Sequence, residues 1–138
     1  MRIGEYVRAA DLNRLVVVFH GGEPLLAGAE RISETARWIK SAVPPEVKVD
    51  FSLQTNGTLL TDEPLACLRE AGISVALSLD GPRSANDLHR LGHDGESSFE
   101  KSLRALELLE QYAETYAGLI AVIDPTVAPE ELFAFFAP

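Results

Sequence analysis

The chain has 138 residues, of which 46% are apolar, and carries a net charge of −9 with a single cysteine. This length suits one domain, and no apolar run approaches the ~18 residues of a membrane-spanning helix. The acidic balance argues against a basic nucleic-acid groove, and one cysteine excludes both an intrachain disulfide and an all-cysteine metal site.

The elements alternate along the chain. Ile3, Val7 and Ala10 sit three and four apart and predict a helix over residues 2–11. Leu15-Val16-Val17-Val18-Phe19 is a mostly β-branched run that suits a strand buried on both faces. After Gly21-Gly22, the spacing of Leu26, Ala29, Ile32, Ala36, Ile39 and Val43 predicts a helix that stops before Pro44-Pro45. Val47 to Leu53 alternates as a strand. Thr61 is a candidate N-cap for a helix running to Gly72, and Ile73 to Leu79 reads as the third strand. Ser97 and Glu100 match a capping box that opens a helix with Phe99, Leu103, Leu106 and Leu109 on one face. Tyr116 to Ile123 is the fourth strand, and Pro129 opens a last helix carrying Leu132, Phe133 and Phe136. Residues 81–97 form the one long irregular connection, a length more often tied to function than to simple linkage.

Strands alternating with helices imply parallel pairing by right-handed crossovers, an α/β fold. Each predicted strand ends in a polar or glycine-rich cluster: His20-Gly21-Gly22-Glu23-Pro24, Gln54-Thr55-Asn56-Gly57, Ser78-Leu79-Asp80-Gly81-Pro82 and Asp124-Pro125. In a parallel sheet these clusters share the carboxyl edge, where α/β proteins bind ligands. Turn geometry alone also calls for Gly, Asn and Asp, so one cluster proves nothing. The first cluster is the most specific. Its glycines let the backbone approach a ligand, and Glu23 sets a carboxylate beside exposed backbone groups, a natural receptor for an ammonium group. The alternative is a solvent-facing turn carboxylate.

Other sites find less support. The sequence has no G-x-G-x-x-G and no Walker phosphate loop. No G-x-S-x-G nucleophile elbow follows His20-Gly21-Gly22. His89, His93 and Asp94 read as loop polars rather than a metal site, because no regular element fixes their spacing. Cys67 lies in an apolar helical stretch and reads as a small buried hydrophobe.

Gly21-Gly22-Glu23-Pro24 after a strand resembles the GGEP motif of the radical S-adenosylmethionine (SAM) superfamily. Gln54-Thr55-Asn56-Gly57 and Ser78-Leu79-Asp80-Gly81-Pro82 resemble its next two strand ends. Asn86-Asp87-Leu88-His89-Arg90, with Gly95, Ser98 and Phe99, resembles the following loop and helix start. Within the superfamily the likeness is to SPASM-type peptide maturases, including those acting on FXSXX-COOH precursors. The resemblance implies that residues 1–138 form a partial (βα)6 barrel of about four parallel strands. It implies a SAM site of Gly21, Gly22, Glu23, Pro24, Gln54, Asn56, Ser78, Asp80 and Arg90. In that site Glu23 and the glycines receive the α-amino group, and Ser78 and Arg90 face the carboxylate and ribose. The strand Gly118 to Val122 resembles the one packed beside adenine. His20 stands where sulfatase-maturing relatives often have glutamine.

The family's 4Fe–4S cluster is held by a C-x3-C-x2-C loop, which this sequence lacks; Cys67 lies far from such a loop. The expectation is therefore a truncated piece of a radical SAM core, without the first strand and its cluster loop or the last strand, and inactive alone. The complete enzyme is expected to cleave SAM reductively and to modify or cross-link a peptide. The alternatives are a non-catalytic module binding SAM or a partner, and an unrelated α/β enzyme acting on an amino-acid-like ligand. A cytoplasmic protein with no nucleic-acid or membrane partner is expected. Its exposed sheet edges predict self-association or a companion chain.

Overall fold

The computed structural model describes residues 2–92 and 94–137. The elements are α1 (Arg2–Ala9), β1 (Arg14–Phe19), a 3-10 turn (Pro24–Ala27), α2 (Ala29–Ala42), β2 (Lys48–Thr55), α3 (Asp62–Glu70), β3 (Ile73–Ser78), α4 (Arg83–Asn86), α5 (Phe99–Glu110), β4 (Tyr116–Ile120) and α6 (Pro129–Phe136). The four strands form one parallel sheet in the order β1-β2-β3-β4. Val75 pairs with Tyr116 and Ala76 with Gly118, so Ala117 is an extra residue that bends the last strand. No helix among the described residues is long and apolar enough to cross a membrane.

Side chains alternate across each strand, and this decides where the core sits. Phe51, Leu53, Val75 and Leu77 pack with Ile32 and Ala36 of α2, Leu65 and Leu68 of α3, and Ala105 and Leu109 of α5. Fully burying one such Leu or Val contributes about 1.5–3 kcal/mol. Val7 of α1 joins Val43 and Val47 in a smaller cluster. The opposite face of the sheet carries Ser52, Gln54, Ser74, Ala76 and Ser78 between Val16 and Val18 of β1 and Ile120 of β4. Expected burial of β1 on both faces is thus corrected: Val16 and Val18 are 57% and 55% exposed. A β-branched run favours a strand but does not say how many of its faces are covered.

Local signals also met competition. Gly28 takes φ +86° and splits the predicted second helix into the 3-10 turn and α2. Thr61 is extended at the start of α3, but its side chain makes no capping bond. The capping box of α5 does not form. Ser97 Oγ accepts from the Phe99 amide at 3.2 Å and donates to Asp87, while Glu100 pairs with Arg83. The 81–97 connection is less irregular than expected, since it contains α4 and a Leu91–Ser97 bridge. β4 stops at Ile120, three residues short of the predicted end. Leu132 of α6 is buried as its spacing implies, but Phe133 is 76% exposed.

Gly57 follows β2 with φ +78°, and a Cβ there would meet Leu77 Cδ1 at 2.6 Å and Ala105 Cβ at 2.8 Å. Gly72 shares the left-handed backbone, φ +69°, but a Cβ would meet open space. Gly57→Ala is therefore expected to cost about 2–4 kcal/mol in urea unfolding, from backbone strain plus overpacking, against about 1 kcal/mol for Gly72→Ala. Equal losses would contradict this packing.

Candidate functional site

The parallel pairing brings the four strand ends to one rim, and hydrogen bonds cross every gap between neighbouring strands there. At the first gap, Gly21 and Gly22 take φ +106° and +54° and reverse the chain after β1. Pro24 opens the 3-10 turn and lacks an amide hydrogen, so Leu25 supplies the free donor at the turn's start. Glu23 Oε1 accepts from that amide at 2.9 Å and from Thr55 Oγ1 at 2.9 Å. Glu23 Oε2 accepts from the Asn56 amide, also at 2.9 Å. The Glu23 carboxylate thus ties the exit of β1 to the exit of β2.

At the second gap, Gln54 Nε2 donates to Ser78 Oγ at 2.7 Å. At the third, Asp80 Oδ1 accepts from the Val122 amide at 2.9 Å, and both Asp80 oxygens accept from Arg90, Nε at 2.5 Å and Nη2 at 2.8 Å. The Asp80 side chain is 5% exposed and that of Arg90 23%. Burial pushes the Asp80 carboxyl up, but the Arg90 hydrogen bonds, the Val122 amide and the nearby positive charge outweigh it, and the net shift is downward.

The predicted residues sort by what remains free on them. Gly21 and Gly22 lie exposed at the turn, and Pro24 is the first residue of the 3-10 turn. Glu23 has spent three of roughly four acceptor positions, leaving one on Oε2. Ser78 accepts from Gln54 and keeps its own proton to donate. Arg90 retains three of its five N–H donors. Asn56 turns its Oδ1 back onto Thr58, with Thr58 N at 2.9 Å and Thr58 Oγ1 at 2.7 Å. Asp80 is buried, with both oxygens engaged by Arg90 and Val122, and it holds the rim in place.

Two cavities open at this rim. One, of about 390 Å³, is lined by His20, Gly22, Gln54, Ser78, Arg90 and Val122 among others. The other, of about 540 Å³, is lined by Glu23, Asn56, His89, Arg90 and Lys101 among others. Arg90 lines both, so Glu23, Ser78 and Arg90 gather on one side of the molecule. A remaining acceptor on Glu23 and free donors on Arg90 and Ser78 match the ammonium and carboxylate of an amino acid. A further cavity of about 620 Å³ lies at the opposite, amino edge beside Asp50, Arg69 and Glu114 and contains none of these residues.

Sequence reasoning gave none of three rim contacts its role there. Thr55 stood inside a recognised segment but was not singled out. The Val122 amide carries no side-chain signal. His89 Nε2 lies 2.6 Å from Asp124 Oδ2, joining the 81–97 connection to the exit of β4. The Thr126 hydroxyl, with His89 and the Thr126 amide, brings the Asp124 carboxyl down to about 2. His93, weighed earlier with His89 and Asp94, lies outside the described residues. Among the described residues no three His, Cys, Asp or Glu side chains are grouped to hold a metal ion. Cys67 is half-buried on α3 with its Sγ 3.4 Å from Ser33 Oγ of α2, within the helix layer.

A family model described as the radical SAM superfamily matches residues 2–136. The chain is 35% identical over 122 residues to a serine-type anaerobic sulfatase-maturating enzyme of Klebsiella aerogenes, covering 87% of this chain and 30% of that one. It is 36% identical over 108 residues to a cysteine-type anaerobic sulfatase-maturating enzyme of Clostridium perfringens strain 13, covering 78% and 29%. Among solved structures, native anSMEcpe with bound AdoMet superposes with a TM-score of 0.84 at 28% identity, over 98% of this chain and 37% of that one. The same protein with bound AdoMet and Kp18Cys peptide gives 0.80 at 30% identity, over 90% and 34%. The chain thus spans about a third of the length of these relatives.

Removing the Asp80 carboxylate strands a half-buried guanidinium and a backbone amide. Asp80→Ala is expected to cost about 2–4 kcal/mol in urea unfolding, with a smaller loss for Asp80→Asn, which keeps one acceptor oxygen. Because the folded carboxyl is depressed, its contribution is present above the ordinary carboxylate range and is lost as pH falls through the depressed folded value. The gap between wild type and Asp80→Asn should therefore close on acidification; a constant gap would contradict the pairing.

Proposed function

Because the chain belongs to the radical SAM superfamily, we propose that its carboxyl rim holds the amino-acid portion of S-adenosylmethionine within a larger peptide-modifying radical SAM enzyme. The observation that carries this is the gathering of Glu23, Ser78 and Arg90 around two adjoining cavities. The likeness to structures with bound AdoMet and a peptide supports the ligand and the substrate class. In this reading the free acceptor of Glu23 Oε2 takes the ammonium. Arg90 and Ser78 donate to the carboxylate, the guanidinium presenting its donors in a planar fork. The exposed Ile120 and Val122 give the adenine ring an apolar wall. Bound SAM would supply the 5′-deoxyadenosyl group; the residues of this chain bind and orient it.

A 4Fe–4S cluster does not fit the residues present. Leaving one iron open for SAM takes three thiolates, and the chain's one cysteine is placed among helices α2 and α3. The reading is therefore that this chain alone is catalytically inert and contributes binding and orientation. A second reading, a SAM-binding module that needs no cluster, is favoured by the same solitary cysteine and by the internal hydrogen bonds that hold the rim. In either reading the unpaired edge of β1 and the exposed Val16 and Val18 promote self-association.

Anaerobic iron–sulfur reconstitution of this chain is expected to leave no stable 4Fe–4S spectrum, and a stable one would overturn the inert reading. SAM titrated into the chain and followed by NMR is expected to bind weakly, with Kd on the order of 1 mM, and Glu23→Gln should weaken it at least about fivefold. Micromolar, Glu23-dependent binding without a cluster would favour the module; binding indifferent to Glu23→Gln would remove the rim from the site. Sedimentation velocity should show association that rises with concentration, and a stable monomer that unfolds cooperatively would refute the edge argument.

A further inference from the structure

We propose that Thr55 is a positioning residue for Glu23, whose hydroxyl aims the carboxylate so that the acceptor left on Oε2 meets a ligand's ammonium group. The inference rests on the amino-acid-binding reading of the rim. Thr55 is 1% exposed, so its hydroxyl cannot find partners in solvent. Its Oγ1 accepts from the Gly57 amide at 3.1 Å and lies 2.9 Å from Glu23 Oε1. An amide can only donate and an ionised carboxylate can only accept, so the hydroxyl takes the Gly57 hydrogen and directs its own to Glu23. Together with the Leu25 amide, this fills both acceptor positions of Oε1. Oε2 then has one bond, from Asn56, and one position open toward a ligand.

The arrangement controls direction as well as charge. A glutamate side chain turns about several bonds, and the amides of Leu25 and Asn56 grip it from opposite ends of the carboxylate. The Thr55 hydroxyl is the one side-chain donor in the set, and it comes from the strand that also supplies Gln54 to the rim. Losing it frees an acceptor on Oε1, so the carboxylate no longer offers a single defined direction to an ammonium. A residue that merely filled space could be replaced by valine without this effect.

The test compares Thr55→Val, which keeps the volume, with Thr55→Ser, which keeps the hydroxyl. Each variant is titrated by NMR with SAM and with 5′-methylthioadenosine, which lacks the ammonium and the carboxylate. Thr55→Val is expected to weaken SAM about tenfold and 5′-methylthioadenosine less than about twofold, and Thr55→Ser to restore SAM binding to within about threefold. In a Glu23→Gln background Thr55→Val should add no further loss, because the two act as one unit. Equal weakening of both ligands, an additive loss, or no rescue by serine would overturn the proposal. If wild type binds neither ligand, the amino-acid reading of the rim fails separately. Hydrogen exchange of the Asn56 amide still decides the role of Thr55: about tenfold faster exchange in Thr55→Val but not in Thr55→Ser sustains it, and unchanged exchange refutes it.

Discussion

A parallel sheet loses its ladder of backbone bonds at the strand ends, and this chain continues the pairing there with side chains. Glu23 crosses from β1 to β2, Gln54 meets Ser78 across β2 and β3, and Asp80 reaches the backbone beyond β4. Two of the three crossings use a carboxylate bound to an amide of the next segment and to a side-chain donor. Charge-assisted bonds of this kind are about twice as strong as neutral ones. Each also removes a polar group's need for water at a place where the backbone has few partners of its own. The rim is therefore stiff because of its own bonds, before any ligand arrives.

That economy explains why two acidic residues with similar surroundings in sequence do different work. Glu23 is half-buried and has one acceptor direction to spare, so it can both hold the rim and meet a cation. Asp80 is 4% exposed and committed to Arg90 and Val122, so it acts by fixing Arg90. Arg90 in turn lines both cavities with donors left over. The distinction lies in how many lone pairs and N–H groups each side chain keeps unbonded in the fold.

Much of the fold was legible in the sequence because its signals are local. The four strands, the helices between them and the shared carboxyl edge follow from hydrophobic period and from glycine and proline placement. What misled were local signals that distant partners overrode. Ser97 and Glu100 have the spacing of a capping box, but Asp87 and Arg83 claim their side chains. The valines of β1 read as fully buried, because an apolar run does not reveal that the helices seen here pack on a single face of the sheet. In the site, the glycines and Glu23 announced themselves by motif. Thr55 could not, because its meaning depends on a carboxylate 32 residues earlier, brought alongside by the parallel crossover.

The placement of Cys67 sharpens what this chain contributes. Its thiol lies between α2 and α3, in the layer that packs on the core face of the sheet, while the rim's contacts are made by strand ends and the 81–97 connection. Nothing in the rim's bonding passes through a thiol: its partners are backbone amides, hydroxyls, carboxylates, a carboxamide and a guanidinium. An edge built this way is held by hydrogen bonds and the Asp80–Arg90 ion pair, none of which calls on the cysteine. What the rim leaves unspent is one acceptor position on Glu23 and the remaining donors of Ser78 and Arg90, so the chain presents oriented polar groups there rather than a set of thiolates.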